Sequence, residues 1–306
     1  MTSLVTDSIH HLSSPDESTR WNAAEEMSEL RDPDAIPALV IALGDRSAAV
    51  RESVIDALTA IGGEETAIAL IPLLASEDPP SRNAACEILR KIGSDAAGPL
   101  QQAVLTGGRD VRLFAIDILA LAGGPGLLEI LSTAIADPDS NVATSAATAL
   151  GQTGGADSAF ALVAARSADP WVRCAVAESL GRIGGSVARR ALVASLSDPE
   201  DSVRHIAAQS LGDCGDVDSV SPLILASGDT NPLVATTALE AIDRVTERLT
   251  PHEIIGIRGR VALDPIREIL NSDDRASHPQ ALRVLERMLA GDSSGGFKLE
   301  HSGGGL

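Results

Sequence analysis

The sequence predicts an all-α fold, a solenoid of eight to nine stacked helical hairpins. Three observations carry that prediction. A unit recurs along the chain at a near-constant spacing, each copy opens with an apolar stripe of helical spacing, and glycine closes that stripe at a fixed position. The cleanest copy runs from Asp169 to Gly185. Asp169 can cap the first free amides, and Pro170 suits the first helical turn. Val172, Val176, Leu180 and Ile183 then draw one apolar face, and Gly184-Gly185 stops the helix.

Taken in chain order, residues 1–12 predict a short helix whose apolar positions are Leu4, Ile9 and Leu12. It would cap the open end of the stack. The repeat register is marked by Arg20, Arg51, Arg82, Arg112, Ala143, Arg173, Arg204 and Ala235, at successive spacings of 31, 31, 30, 31, 30, 31 and 31. Three residues later stand Ala23, Val54, Ala85, Ala115, Ala146, Val176, Ala207 and Ala238, small enough for helices to approach closely. Seven residues later stand the core knobs Met27, Leu58, Leu89, Leu119, Leu150, Leu180, Leu211 and Ile242. Eleven residues later, Gly62, Gly93, Gly123, Gly154, Gly184 and Gly215 close the first helix, while Arg31 and Thr246 break the rule at the two ends. A second apolar helix follows in each unit: 35–43, 66–74, 96–105, 127–135, 158–165, 187–196 and 220–226. No hairpin can bury its apolar face alone, so stacking makes the core.

Past residue 246 the register is lost. Residues 247–260 read as an irregular insertion, followed by helices over 265–270 and 279–289. In the last of these His278, Ala281 and Leu285 repeat the register weakly. The expected organisation is one solenoid over 1–290, with a capping helix at 1–12, eight regular repeats over 13–246 and an irregular cap over 247–290. The glycine-rich stretch 291–306 reads as a disordered tail.

This pattern resembles the HEAT-repeat family, in the short form found in phycobilisome-lyase-like proteins. The Val-Arg, Ala, Leu-Gly and Gly-Gly positions carry the resemblance over roughly residues 13–246. It implies a right-handed α-α superhelix and, for function, a surface that binds other proteins.

Composition narrows the function. The chain carries 43 acidic and 24 basic residues, a formal charge of −19, with only two lysines, three Phe, two Trp and no Tyr. Such an acid-rich, lysine-poor chain resembles proteins of salt-loving archaea. At 1 M salt the screening length is about 3 Å, so the self-repulsion of that charge is suppressed. General nucleic-acid binding needs clustered Lys and Arg and is not expected. No apolar run approaches a membrane span, and residues 1–11 lack the basic start and apolar core of a signal peptide, so the cytoplasm is the expected compartment.

The register arginines Arg20, Arg51, Arg82, Arg112, Arg173 and Arg204 sit in first helical turns, where the helix dipole disfavours a cation. A structural ladder is therefore expected, with Asp16, Asp45, Asp78, Asp110, Asp169 and Asp201 as nearby partners. No catalytic, metal or cofactor site is expected. The single His252-Glu253 pair cannot supply the ligand set of the HEAT-repeat enzyme deoxyhypusine hydroxylase. His10 and His11 fall on different helix faces, and Cys86, Cys174 and Cys214 read as idle thiols. Residues 166–190 form a local positive island, with five arginines against two acids. Trp171, Trp21, Arg166, Arg189 and Arg190 are accordingly the candidate partner-binding residues, since Trp and Arg dominate interface hot spots. They point to a protein partner with an acidic patch.

The functional expectation is a non-enzymatic scaffold. Short HEAT proteins of salt-loving archaea include one that links taxis response proteins to the motility motor, which makes that adaptor role a specific form of it. A phycobilin-lyase-like or tetrapyrrole-binding protein is the alternative.

Overall fold

The computed structural model describes residues 2–258, 262–271 and 277–289, and everything regular in them is helical. The chain divides into two compact units, Met1–Ser167 and Ala168–Leu306. The tail 291–306, together with Gly259 and Arg260 of the expected insertion, lies outside the described residues.

The first unit opens with α1 (Thr2–His11), which packs on α2 (Glu17–Leu30). Five helical hairpins, the first of them opened by α2, follow α1 in the same alternation. The first helices are α2, α4 (Ala48–Ile61), α6 (Pro79–Ile92), α8 (Arg109–Ala122) and α10 (Ser140–Thr153). The second helices are α3 (Ile36–Ala42), α5 (Gly63–Leu70), α7 (Ala97–Thr106), α9 (Leu127–Ala134) and α11 (Gly155–Ala164). First helices pack on first helices and second on second, each on its neighbour in sequence, giving two layers with the core between them. In the second unit α12 (Pro170–Ile183), α14 (Asp201–Cys214) and α16 (Pro232–Arg248) form the first-helix layer, and α13 (Gly185–Ser195) and α15 (Val220–Ala226) follow α12 and α14.

Local chemistry starts and stops these helices. Asp16, Ser47, Asp78, Asp139, Asp169 and Asn231 each accept a hydrogen bond from a backbone amide of the first turn they precede. At the far end Gly62, Gly154 and Gly184 adopt φ of +61°, +71° and +69° with ψ of −154°, −171° and −163°. That region is essentially reserved for glycine. One residue thus ends the first helix and begins the second, so the corner needs no loop. Arg31 takes the left-handed conformation at the first corner, and Gly215 is extended instead.

All eight core knobs, from Met27 to Ile242, are at most 1% exposed. Truncating any of the leucines among them to alanine would cost about 2–5 kcal/mol. Val176 departs from its column. It is half-buried, and Ala175 and Ala177 are buried beside it.

The C-terminal region differs from the sequence expectation. α16 runs on to Arg248, and α17 (Pro251–Arg258) forms where an irregular insertion was expected. The reason is a capping box. Thr250 N donates to Glu253 Oε2 at 2.8 Å, and Glu253 N donates to Thr250 Oγ1 at 3.3 Å. Helices α18 (Asp264–Asn271) and α19 (His278–Leu289) follow. Arg287 ties α19 to α16 through Asp243 and Glu247.

Candidate functional site

The register arginines lie between successive turns. Arg204 at the start of α14 gives Nε and Nη2 to the two carboxylate oxygens of Asp229, at 2.7 and 3.0 Å. Its Nη1 donates back to the Asp198 carbonyl at 2.9 Å. Arg20, Arg112 and Arg173 repeat the arrangement with Asp45, Asp137 and Asp198, each 25 residues further on. The same aspartates shape their own turns: Asp45, Asp137, Asp198 and Asp229 accept from the amide two residues ahead. Bidentate bonds to a carboxylate and a bond to a carbonyl offset the unfavourable helix-end position of each guanidinium. Hydrogen bonding from Arg20 and Arg204 holds the Asp45 and Asp229 carboxyls below the usual carboxylate range. At Asp198 burial pushes upward, but Arg173 and the Glu200 amide outweigh it.

Arg51 and Arg82 make the backward half of this clasp, to the carbonyls of Asp45 and Ser76. Their forward positions hold Ser76 and Gly107, which offer no carboxylate, and the Arg82 guanidinium lies 5.7 Å from the Phe114 ring centre instead. Of the six aspartates expected as partners, Asp45 holds Arg20. Asp16, Asp78 and Asp169 cap helices, Asp110 pairs with Arg109, and Asp201 accepts from Asn231. A short carboxylate spent on its own helix start is poorly placed to serve the arginine four residues on. The arginine reaches forward to the next turn, where Asp137, Asp198 and Asp229 wait.

The candidate partner-binding residues fall in different places. Trp171 is 74% exposed in the first turn of α12, and Trp21 is 41% exposed on α2. Arg190 is exposed on α13, and Arg166 is exposed in the segment that ends the first unit. Arg189 is only 16% exposed and is held by the carboxylates of Asp216 and Asp218. With Arg173 on Asp198 and Arg182 on Glu178, three of the five arginines in the positive island are neutralised internally. The structure adds Leu233, which occupies the Trp171 register position on α16 and is also exposed.

A second surface was not foreseen. The second helices of the first unit expose Ile41, Ile68, Leu105, Leu128, Phe160 and Val163, with Ile41 at 81%. Apolar side chains in these short helices read as core from sequence. Spacing groups them into one row, because each lies three or four residues from another outward position, but it does not mark which of two apolar rows is the buried one.

The remaining reactive groups do not converge. Burial pushes the Cys86, Cys174 and Cys214 thiols up, away from thiolate. Among the described residues no group of three or more His, Cys, Asp or Glu could hold a metal ion, and no helix is long and apolar enough to cross a membrane. Glu253 is committed to its capping box, and His205 Nδ1 lies 3.0 Å from Thr237 Oγ1.

A family model for HEAT repeats matches residues 7–90, 99–166, 159–211 and 189–277. The chain belongs to the HEAT-repeat family. Among curated relatives of this HEAT-repeat protein is the bilin biosynthesis protein PecE of Mastigocladus laminosus, 36% identical over 81 residues. That match takes in 26% of this chain and 30% of PecE, so it spans less than a third of its relative. Solved HEAT-type neighbours include Kap95p, described in binding to RanGDP, with a TM-score of 0.53 at 15% identity over 94% of this chain and 46% of that one. Kap121p bound to Nup53p gives 0.51 at 15% identity, over 94% of this chain and 37% of its own. Both likenesses concern the fold.

Proposed function

We propose that this HEAT-repeat protein is a non-enzymatic scaffold that acts in the cytoplasm by binding other proteins. The observation that carries this reading is the row of exposed large apolar side chains over a fixed helical stack, one or two on each second helix of the first unit. Solenoids present extended surfaces of this kind. Thiols pushed away from thiolate and the scatter of the histidines support the non-enzymatic part. In the second unit Trp171 and Arg190 serve as anchors for a partner with an acidic patch, while Trp21 and Arg166 belong to the first unit's surface. Arg189 would have to leave Asp216 and Asp218 to take part.

The test is affinity purification of the tagged full-length protein in molar salt, followed by titration of each co-purified protein in purified form. Saturable binding that Trp171→Ala weakens about tenfold supports the anchor assignment. If no purified candidate binds saturably, the scaffold reading fails. A narrower form, an adaptor between taxis response proteins and a motility motor, rests on family resemblance alone and requires such proteins among those that bind.

The partial match to PecE favours a second reading, a protein that handles a bilin or another tetrapyrrole. Titration with bilins or haem distinguishes it, because a saturable change in visible absorption would replace the scaffold reading.

A further inference from the structure

We propose that the outer face of the second helices in the first unit docks a basic, extended segment of a partner protein with regularly spaced apolar anchors. This rests on the scaffold reading and names its partner chemistry. The face is continuous, since α3, α5, α7, α9 and α11 pack side by side in that order. On most of these helices an exposed carboxylate shares the outer face with the exposed apolar residue. Glu64 and Glu65 stand four and three residues before Ile68, and Asp157 stands three before Phe160. Asp34 and Asp95 lie on the outward rows that lead to Ile41 and Leu105, and Glu129 adjoins Leu128.

Helix electrostatics explains only half of this charge pattern. Acids in a first helical turn complement the dipole, but the dipole equally favours cations in the last turn. None of the five helices has a basic residue in its last turn, and none contains Lys or Arg anywhere. The six carboxylates have no ion-pair partner among the described residues. The first-helix layer differs, because α2, α4, α6 and α8 carry Arg20, Arg51, Arg82, Arg90, Lys91, Arg109 and Arg112 among their acids, and Glu87 and Asp110 pair with Lys91 and Arg109. The second-helix face therefore combines unanswered negative charge with exposed apolar groups, a surface that repels nucleic acid and anionic lipid and complements a basic apolar peptide.

Spacing sets the form of that peptide. Packed helices lie about 10 Å apart. A chain in the extended polyproline II form advances about 3.1 Å per residue with three residues per turn, so an apolar anchor at every third position keeps to one side and meets each helix in turn, and about 13 residues cross all five. Basic residues between the anchors face the carboxylates.

The test measures fluorescence anisotropy of a labelled 13-residue peptide of this design (about the length that spans five helices), with leucine at every third position and lysine between. The titrant is the full-length protein, at low salt and at about 1 M salt, where the screening length shrinks to about 3 Å. A glutamate-for-lysine twin and a single-stranded oligonucleotide serve as competing probes. Three proteins are compared with the parent. Glu64→Lys/Glu65→Lys/Asp157→Lys reverses charge on the face, Glu25→Lys/Glu29→Lys/Glu52→Lys makes the same change on α2 and α4, and Ile41→Ser/Ile68→Ser/Phe160→Ser removes apolar anchors. All nine positions are exposed, and circular dichroism checks that each variant is folded.

The expected result is saturable binding of the lysine peptide, weakened about tenfold or more by the face reversal and by the serine set, and less than about twofold by the α2/α4 set. Equal weakening by both charge sets overturns the proposal, since it would report only general attraction. So does equal affinity for the glutamate twin, tighter binding of the oligonucleotide, or indifference to the serine set. If the docking face fails while a purified co-purifying protein still binds, this proposal falls and the scaffold reading stands.

Discussion

Replacing Arg204 with methionine removes one clasp of the ladder while keeping the aliphatic stem that packs beside it. Both partners are mostly covered, with side-chain exposures of 15% for Arg204 and 11% for Asp229. Exposed ion pairs contribute less than about 1 kcal/mol, and breaking a fully buried pair costs about 3–5 kcal/mol. This partly buried bidentate pair lies between those limits, so Arg204→Met should cost about 2–3 kcal/mol and Asp229→Asn about 2. The double variant should fall short of the sum by about 1–2 kcal/mol, because each single change already breaks the shared contact. Urea unfolding followed by Trp171 fluorescence in a Trp21→Phe background reads the second unit alone. The cost also has a pH signature. Arg204 holds the Asp229 carboxyl below its unfolded value, so the stabilisation is fully present above about pH 4 and is lost as pH falls through the lower folded value. The deficit of Arg204→Met should therefore be largest near neutrality and shrink in acid. A cost below about 0.5 kcal/mol, additive double-variant energies, or a deficit unchanged down to about pH 3 would refute the clasp as a stabilising element.

Three further outcomes follow from the packing and the charge. A β-carbon on Gly181 would stand 2.6 Å from the Ser210 β-carbon, so Gly181→Ala should destabilise the second unit by about 1–2 kcal/mol despite its better helix propensity. Adding Ser210→Gly should recover part of that loss, and thermal melts of the three variants check it. Gly184→Ala should cost about 1–3 kcal/mol through its φ of +69°, since the nearest neighbour is an ordinary 3.6 Å away; a neutral result would mean that the corner relaxes. Dilution from molar to about 0.1 M salt lengthens screening from about 3 to 10 Å. It should lower the urea midpoint of the first unit, with 23 acidic against 10 basic residues, more than that of the second, with 20 against 14. Trp21 and Trp171 report the two units separately, and equal midpoints at both salt concentrations would contradict the repulsion argument.

Much of the fold is legible in one repeat because its determinants are local. A capping aspartate, an apolar row and a glycine corner act within a single first helix and its two ends, and Asp169 to Gly184 shows all three. The capping box at Thr250 and Glu253 is equally local, and its T-x-x-E spacing predicts α17 once the loss of register is not taken as loss of helix. The ladder partners are harder to see, since Arg204 and Asp229 belong to different turns with the rest of α14 and all of α15 between them. Arg189 shows the limit for charge. Its neutralising aspartates, Asp216 and Asp218, stand beyond the whole of α14, so a sequence window counts a positive island that folding closes. Ile41 and Phe160 show the limit for burial, because a helix with two apolar sides does not reveal from sequence which side finds a neighbour.

The uneven ladder also sets where the first unit yields. An array of repeats behaves as a row of nearest-neighbour couplings, and opening starts at the weakest of them. Arg20 and Arg112 grip a carboxylate in the turn ahead, whereas Arg51 and Arg82 face Ser76 and Gly107 and hold only the turn behind. The soft stretch is therefore interior, bracketed by two stiffer joints. Under load the first unit would flex about α4 and α6 before its outer repeats come apart, a compliance set by nothing more than a missing carboxylate at each of two turns.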